Sequence, residues 1–267
     1  MIPDVSASKA AGLIGLHKYQ NPDEIAYELL NRDATGKIKI AEIERAGNRR
    51  PLNQFVNEVL REGPMLDIVS SALRAAQVSH NVQGILAEVE QQAALVLDMR
   101  RGGLPPELRA KLIDEVRGKV SKQRGLINED AILNTYEAAR EVKVTERNTK
   151  TIKKDFGTFR LVGRCDGYVA SENRIVDSKD RTRKWPAVPI YDEIQLRCYM
   201  NMYNATESEL IERFPGGETR HTKYAADPTI WASLESSIVR AVEKLNAALE
   251  DEDELKRIVY ANTVCLT

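Results

Sequence analysis

Two short stretches decide the fold: Arg164-Cys165-Asp166-Gly167-Tyr168, and further on Arg174-Ile175-Val176-Asp177-Ser178-Lys179. Both lie in β-rich runs, and Ser171-Glu172-Asn173 between them reads as the bend of a hairpin. Folded back on that bend, the chain sets Asp166 beside Asp177. Side chains alternate along a strand, so Asp177 and Lys179 project to one face and Val176 and Ser178 to the other. Ser178 can still offer its backbone carbonyl. The result is two carboxylates and a lysine at the ends of adjacent strands. Phosphodiester hydrolysis at neutral pH asks for such a set, because a hard cation must polarise the phosphate and make hydroxide from water. Magnesium keeps several of its waters, so a few carboxylates suffice, and a nearby lysine can orient water or stabilise charge on the phosphate. Taken alone, the same three residues equally describe a charged surface hairpin, and the neighbouring segments have to decide.

Downstream, Ile190-Tyr191-Asp192-Glu193-Ile194-Gln195-Leu196-Arg197-Cys198-Tyr199-Met200 reads as a helix. Gln195 and Tyr199, four apart, share one of its faces. Upstream, Gly125-Leu126-Ile127-Asn128-Glu129-Asp130 reads as the opening of a helix that continues with Ile132, Leu133 and Tyr136 on one face. Glu129 there can supply a third carboxylate. Val5-Ser6-Ala7-Ser8, at a helix start, presents hydroxyls and backbone N–H groups suited to phosphate. Arg181, Arg183 and Lys184, with Trp185, directly follow the triplet and could clamp DNA phosphates or stack a base. They read equally well as a solvated loop. Thr149 to Lys154 looks like a basic hairpin tip.

The rest of the chain divides in two. Asn31 to Lys122 keeps a helical pattern, read as an all-α subregion or an insertion. Ahead of it, Asn21-Pro22-Asp23-Glu24 is a strong helix start, with Asn21 as cap and Glu24 closing a capping box. From Asn128 the order is helix, three β-rich runs (Val142 to Thr145, Phe159 to Val162, Arg174 to Val176), helix, two strands (Leu210 to Phe214, Arg220 to Tyr224) and a final helix capped by Asp227-Pro228. The expected organisation is a helical N-terminal region, 1–124, and a core, 125–267, within one continuous domain.

Composition narrows the class without naming a chemistry. The 267 residues are 42% hydrophobic and 30% charged, as in an ordinary globular protein. No apolar run approaches a bilayer span and the N-terminus lacks a secretory signal, so a cytoplasmic or nuclear setting is expected. Cys165, Cys198 and Cys265 lack metal-site spacing and read as buried thiols; His17, His80 and His221 are equally scattered. The net charge is only −1, yet lysines and arginines outnumber acids between Arg140 and Lys184, whereas Glu250 to Glu254 is an unbroken acidic run. A neutral protein with one basic face can still bind a polyanion there. The acidic run reads as an exposed helix end.

These segments together resemble the PD-(D/E)XK nucleases, in particular the lambda-exonuclease or YqaJ-like viral recombinase branch. Ser6-Ala7-Ser8 is similar to that branch's N-terminal motif, and Gly125 to Glu129 followed by Tyr136-Glu137 to its Gly-x-x-x-Glu helix. Cys165-Asp166-Gly167 stands for the Pro-Asp-Gly strand, Asp177-Ser178-Lys179 for Glu-x-Lys, and Gln195 to Tyr199 for Gln-x-x-x-Tyr. Asp177 replaces the commoner Glu, and Cys165 replaces the proline. Gly84-Ile85-Leu86-Ala87-Glu88 competes for the Gly-x-x-x-Glu role, but Glu129 is preferred because it directly precedes the first β-rich run.

The resemblance implies a restriction-endonuclease-like α/β core, a mixed central sheet flanked by helices, with a helical N-terminal insertion. It makes Glu129, Asp166 and Asp177 metal ligands, joined by the Ser178 carbonyl. Lys179 becomes the catalytic lysine, and Gln195 and Tyr199 its support. Ser6, Ser8, Lys9, Arg181, Arg183 and Lys184 are the candidate DNA or phosphate contacts. It further implies magnesium (or manganese), DNA as partner, 5′→3′ exonuclease action on duplex ends, a single-strand annealing protein, homo-oligomeric assembly and a viral setting. An endonuclease or single-strand exonuclease using the same site, and an inactive DNA-binding protein, stay open at this point.

Overall fold

The computed structural model describes residues 1–78, 81–99 and 104–265; His80 lies outside them. The chain begins with strand β1 (Asp4–Ser6), a 3₁₀ turn (Ala7–Lys9) and the short helix α1 (Ala10–Leu13). Helices α2 (Pro22–Arg32) and α3 (Ala34–Ala46) follow, then β2 (Arg49–Pro51), α4 (Leu52–Val59), α5 (Gly63–Val78), α6 (Val82–Asp98) and α7 (Pro106–Arg140). The second half holds β3 (Ile152–Asp155), β4 (Arg160–Gly163), β5 (Gly167–Val169), β6 (Arg174–Asp180), α8 (Ile190–Tyr203), β7 (Glu207–Arg213) and β8 (Thr219–Ala225). Helices α9 (Pro228–Glu250) and α10 (Glu252–Ala261) and strand β9 (Thr263–Cys265) complete it.

The expected mixed sheet flanked by helices is present. Its strand order is β5-β6-β7-β8, with β6 and β7 parallel and the outer pairs antiparallel. Alternation along β6 and β7 decides what each face meets. Ile175 and Leu210 enter the core that contains Leu196 and Tyr199 of α8, while Val176 and Ile211 pack with Ile132, Leu133 and Tyr136 of α7. Each face thus buries a helix, as a sheet with two apolar sides requires.

Several expectations need correction. Gly125 does not open a helix: α7 runs through it. A glycine inside a helix costs roughly 1 kcal/mol, and α7 is clamped on both sides of this one. Leu112, Val116 and Val120 are buried with α4, α5 and α6, whereas Ile132, Leu133 and Tyr136 are buried against the sheet. The helical insertion is also shorter than the sequence pattern. Ile40 of α3 belongs to the main core, and β2 pairs with β9, so the separate helical core begins only at α4.

The strands differ too. Thr149 to Lys154 is not a hairpin tip, because Ile152–Asp155 is β3 itself, antiparallel to β4. Val142 to Thr145 contributes only a bridge from Thr145 to Tyr168. β4 joins β1 and β3 in a separate sheet, so the chain changes sheets at Arg164-Cys165-Asp166. β1, parallel to β4, precedes the helix expected at Ser6.

The caps explain the helix starts. Asn21 accepts from the Asp23 N–H and Asp227 from the Thr229 and Ile230 N–H groups. The acidic run is the junction of α9 and α10, where Asp251 caps α10 and the acids that follow suit the positive end of the helix. Cys165 and Cys198 are buried free thiols, but Cys265 is exposed on β9. No helix among the described residues is long and apolar enough to cross a membrane.

Candidate active site

The hairpin register builds the site. Gly167 pairs with Val176 across β5 and β6, which sets Asp166 opposite Asp177 just beyond the end of β5. The bend is a 3₁₀ turn closed by Asn173 at φ 46°, a left-handed position asparagine tolerates, and Asn173 Oδ1 accepts from the Tyr168 hydroxyl at 2.8 Å. Gly167 must lack a side chain, because a Cβ there would stand 2.2 Å from Val144 Cγ1.

Four charged groups converge. Asp177 is 1% exposed and its Oδ2 lies 2.5 Å from Lys179 Nζ. Asp166 Oδ2 accepts from the Ser178 N–H at 2.8 Å and from Ser178 Oγ at 3.2 Å. The N–H and C=O of one strand residue face the same edge, so the Ser178 carbonyl also faces the Asp166 side. Glu129, half-buried on α7, accepts from Asn148 Nδ2. On α8, Gln195 Nε2 donates to the Tyr199 hydroxyl at 3.2 Å and to Asp177 Oδ1 at 3.5 Å.

The electrostatics show that these groups share one field. Burial, then the charge on Asp166, pushes the Asp177 carboxyl up to about 7 despite Lys179. Burial also raises Asp166, with Lys179 opposing and Glu129 adding to the rise. Glu129 is raised by burial and then by Asp177. Burial alone would discharge Lys179, but Asp177, Asp166 and Asp192 outweigh it and hold the ammonium charged.

Three like charges crowded together fit a divalent cation, which would relieve their repulsion through hard oxygen donors. Among the described residues, Asp166 Oδ1 and Glu129 Oε2 take no hydrogen bond. No group of three His, Cys, Asp or Glu among those residues is already spaced to hold a metal ion, and Lys179 lies against one oxygen of Asp177. The donors suit an ion that brings much of its own water shell.

The structure sorts the remaining candidates. Glu88, the competitor to Glu129, is exposed on α6, where it accepts from Gln92. Ser6 and Ser8 lie with their hydroxyls 3.0 Å apart on the turn packed against α8, while Lys9 is directed to Glu28 of α2. Arg181 is not a free phosphate clamp. Just beyond the end of β6, its side chain is 11% exposed and lies 2.6 Å from Asp192 and 2.9 Å from Glu212. Lys184 pairs with Glu218 at 2.6 Å. Arg183 is exposed and, among the described residues, has no carboxylate partner.

Sequence reasoning missed Asn148, Asp180 and Asp192. Asp192 carried a readable signal, an acid in the first turn of the helix that bears Gln195.

A test of the α8 face arises from Gly163. A Cβ there would sit 2.8 Å from Tyr199 Cε1 and 3.4 Å from Ala7 Cβ. Gly163→Ala is expected to displace the Tyr199 ring and with it Gln195, lowering stability by about 1–3 kcal/mol. Urea unfolding checks this, and an unchanged midpoint would show that the ring has room to move.

No protein-family model matches the chain, and no curated protein matches it. Among solved structures, it is similar to an alkaline exonuclease from Laribacter hongkongensis, with 16% identity over 71% of this chain and 92% of that one and a TM-score of 0.41. The same protein in complex with dAMP gives 15% identity, the same coverage and 0.41. A phage related exonuclease from Haemophilus somnus is similar over 94% of this chain and 97% of that one, with 14% identity and a TM-score of 0.44.

Proposed function

We propose that this chain is a deoxyribonuclease that hydrolyses DNA phosphodiesters with a divalent cation, magnesium or in its place manganese. The observation that carries this reading is the meeting of Glu129 from α7, Asp166 from the β5 lead-in and Asp177 from β6 around one charged lysine. A structural ion pair needs one acid for Lys179, not three that raise one another. Glu129, Asp166, Asp177 and the Ser178 carbonyl would hold the ion. When bound, it supplies polarisation of the phosphate and a water of lowered pKa.

The chain's own groups supply the rest. Ser178 holds one oxygen of Asp166 and leaves the other for a ligand. Asn148 fixes Glu129 in the same way, and Gln195, backed by Tyr199, steadies Asp177. Lys179 places a fixed positive charge against the negative charge that builds on the phosphate, and offers a donor to the attacking water. The finer features rest on the motif resemblance: exonucleolytic action 5′→3′ on duplex ends, in recombination, repair or replication, with an annealing partner and homo-oligomeric assembly in a viral setting.

Magnesium is expected to support shortening of end-labelled linear duplex, with closed circular DNA left intact. Calcium should permit binding and suppress cleavage; equal cleavage in calcium would count against this mechanism. Stability gives a second readout. The Asp177 carboxyl sits near 7 when folded, against about 3.9 for an unfolded aspartate. The folded state therefore binds that proton more tightly, and its contribution is full below about 4 and lost as pH rises through about 7. Magnesium should accordingly raise the melting temperature more at pH 8 than at pH 5. An equal rise at both would separate cation binding from Asp177.

A further inference from the structure

A group of rings stands beside the candidate site and plays no part in holding the carboxylates. His17 stacks on Tyr191 with centroids 4.0 Å apart and planes at 23°. Tyr19 meets Tyr191 and Trp185 edge-on, each at 6.5 Å, and is itself 58% exposed. Large aromatic rings are normally buried for their apolar area, so a ring left this open beside three others is unusual for packing alone. Two cations complete the group. The Arg183 guanidinium lies 4.3 Å from the Trp185 ring centroid and its Nη2 donates to the Tyr19 hydroxyl at 3.4 Å; Lys18 Nζ lies 5.6 Å from the Tyr19 ring centroid. Among the described residues neither cation has a carboxylate partner, whereas their neighbours Arg181 and Lys184 are both paired.

The surface is built rather than loose. The loop after β6 is fastened by Gln83 of α6 donating to the Thr182 carbonyl at 2.9 Å, and by Arg220 of β8 donating to the Trp185 carbonyl at 3.0 Å. It leaves β6 after Asp180, the residue next to Lys179. Tyr191 stands one helical turn before Gln195, whose Nε2 donates to Asp177 Oδ1 at 3.5 Å, so the rings border the site. One exposed ring among three partly exposed ones, interleaved with two cations that lack a carboxylate partner, complements a chain that carries flat bases and regularly spaced negative charges. Duplex DNA hides its base faces by stacking, but a single strand presents them.

We propose that Tyr19, Trp185, Tyr191 and His17, with Arg183 and Lys18, form a stacking platform that receives the unpaired end of a DNA strand at the mouth of the site. This rests on the nuclease reading and adds to it the form in which substrate enters. The rings take successive bases whatever their sequence, and the two cations take phosphates.

The test measures binding of oligothymidylate and of a blunt duplex to the full chain in EDTA, where no cleavage intervenes. A Trp231→Phe background leaves Trp185 as the sole tryptophan. Its emission should be quenched by oligothymidylate. Trp185→Ala and Tyr19→Ala should each weaken oligothymidylate binding about tenfold, Trp185→Phe should retain most of it, and blunt duplex should bind almost as before. Arg183→Ala should lower the salt slope for the single strand by about 0.7. Unquenched emission with unchanged affinity would overturn the platform, and so would equal losses on duplex and single strand in variants with wild-type melting temperatures. Absence of magnesium-dependent cleavage by the wild-type chain would instead overturn the nuclease reading, a result the binding measurements cannot produce.

Discussion

Lys179→Ala is expected to fold, to bind DNA in calcium, and to cleave it at least about 10²–10³-fold more slowly than wild type in magnesium. Two losses combine. The fixed positive charge facing the phosphate disappears, and Asp177 loses the group that opposes its protonation. With Lys179 gone, burial and the charge on Asp166 act on Asp177 alone, so its carboxyl titrates above its present value of about 7. At neutral pH the variant then presents a protonated acid where the cation needs a carboxylate. A raised carboxyl favours the folded state at low pH, so the variant should approach wild-type stability near pH 5 and fall behind as pH rises toward 8. Lys179→Arg keeps the charge but not the point-like ammonium geometry 2.5 Å from Asp177. It should restore the stability profile and recover only part of the rate. Wild-type cleavage by folded Lys179→Ala would remove the lysine from the mechanism. Equal rate loss with no change in the pH–stability profile would detach it from Asp177.

What the sequence disclosed follows from the range over which each feature is determined. The hairpin is local: alternation along β6 and a bend at Ser171-Glu172-Asn173 are enough to set Asp166 opposite Asp177. Gln195 and Tyr199 are one helical turn apart and need no distant information. The missed features all depend on partners far along the chain. Strand β1 has three residues and exists because Val5 pairs with Leu161, which no short-range pattern signals. Gly125 carries the mark of a helix start, yet the two cores gripping α7 outweigh its local cost. Arg181 looked like a solvent-facing cation in a basic loop. Only the approach of Asp192 on α8 and Glu212 on β7 makes its withdrawal from solvent tolerable.

Asp180→Ala is expected to cost about 3–5 kcal/mol of stability and to slow cleavage although Asp180 belongs to neither the ligand set nor the substrate path. Its side chain is 1% exposed and reaches from the strand that carries Lys179 to the helix that carries Glu129. Asn128 Nδ2 of α7 donates to its Oδ2 at 2.8 Å, and Arg213 of β7 donates to its Oδ1 at 3.2 Å. Arg124 Nη1 of α7 lies 2.8 Å from Oδ2 as an ion pair, without the alignment of a hydrogen bond, and its Nε also lacks a partner. Arg124 is therefore a buried cation that leans on one carboxylate. Removing that carboxylate leaves the guanidinium stranded, which is the expensive way to break a buried pair. Removing Arg124 instead leaves Asp180 with Asn128 and Arg213, so Arg124→Leu should cost no more than about 1 kcal/mol. The asymmetry is the diagnostic. Urea unfolding of the two variants separates a latch from ordinary packing, for which the costs would be alike. Because Asn128 adjoins Glu129, release of this contact lets α7 shift against β6, and Glu129 moves relative to Asp177 and Lys179. Asp180→Ala should then require more magnesium for half-maximal cleavage, while Arg124→Leu, with the Asn128 contact intact, should keep the wild-type requirement. An unchanged magnesium requirement in Asp180→Ala would confine the residue to stability and leave the placement of Glu129 to Asn148.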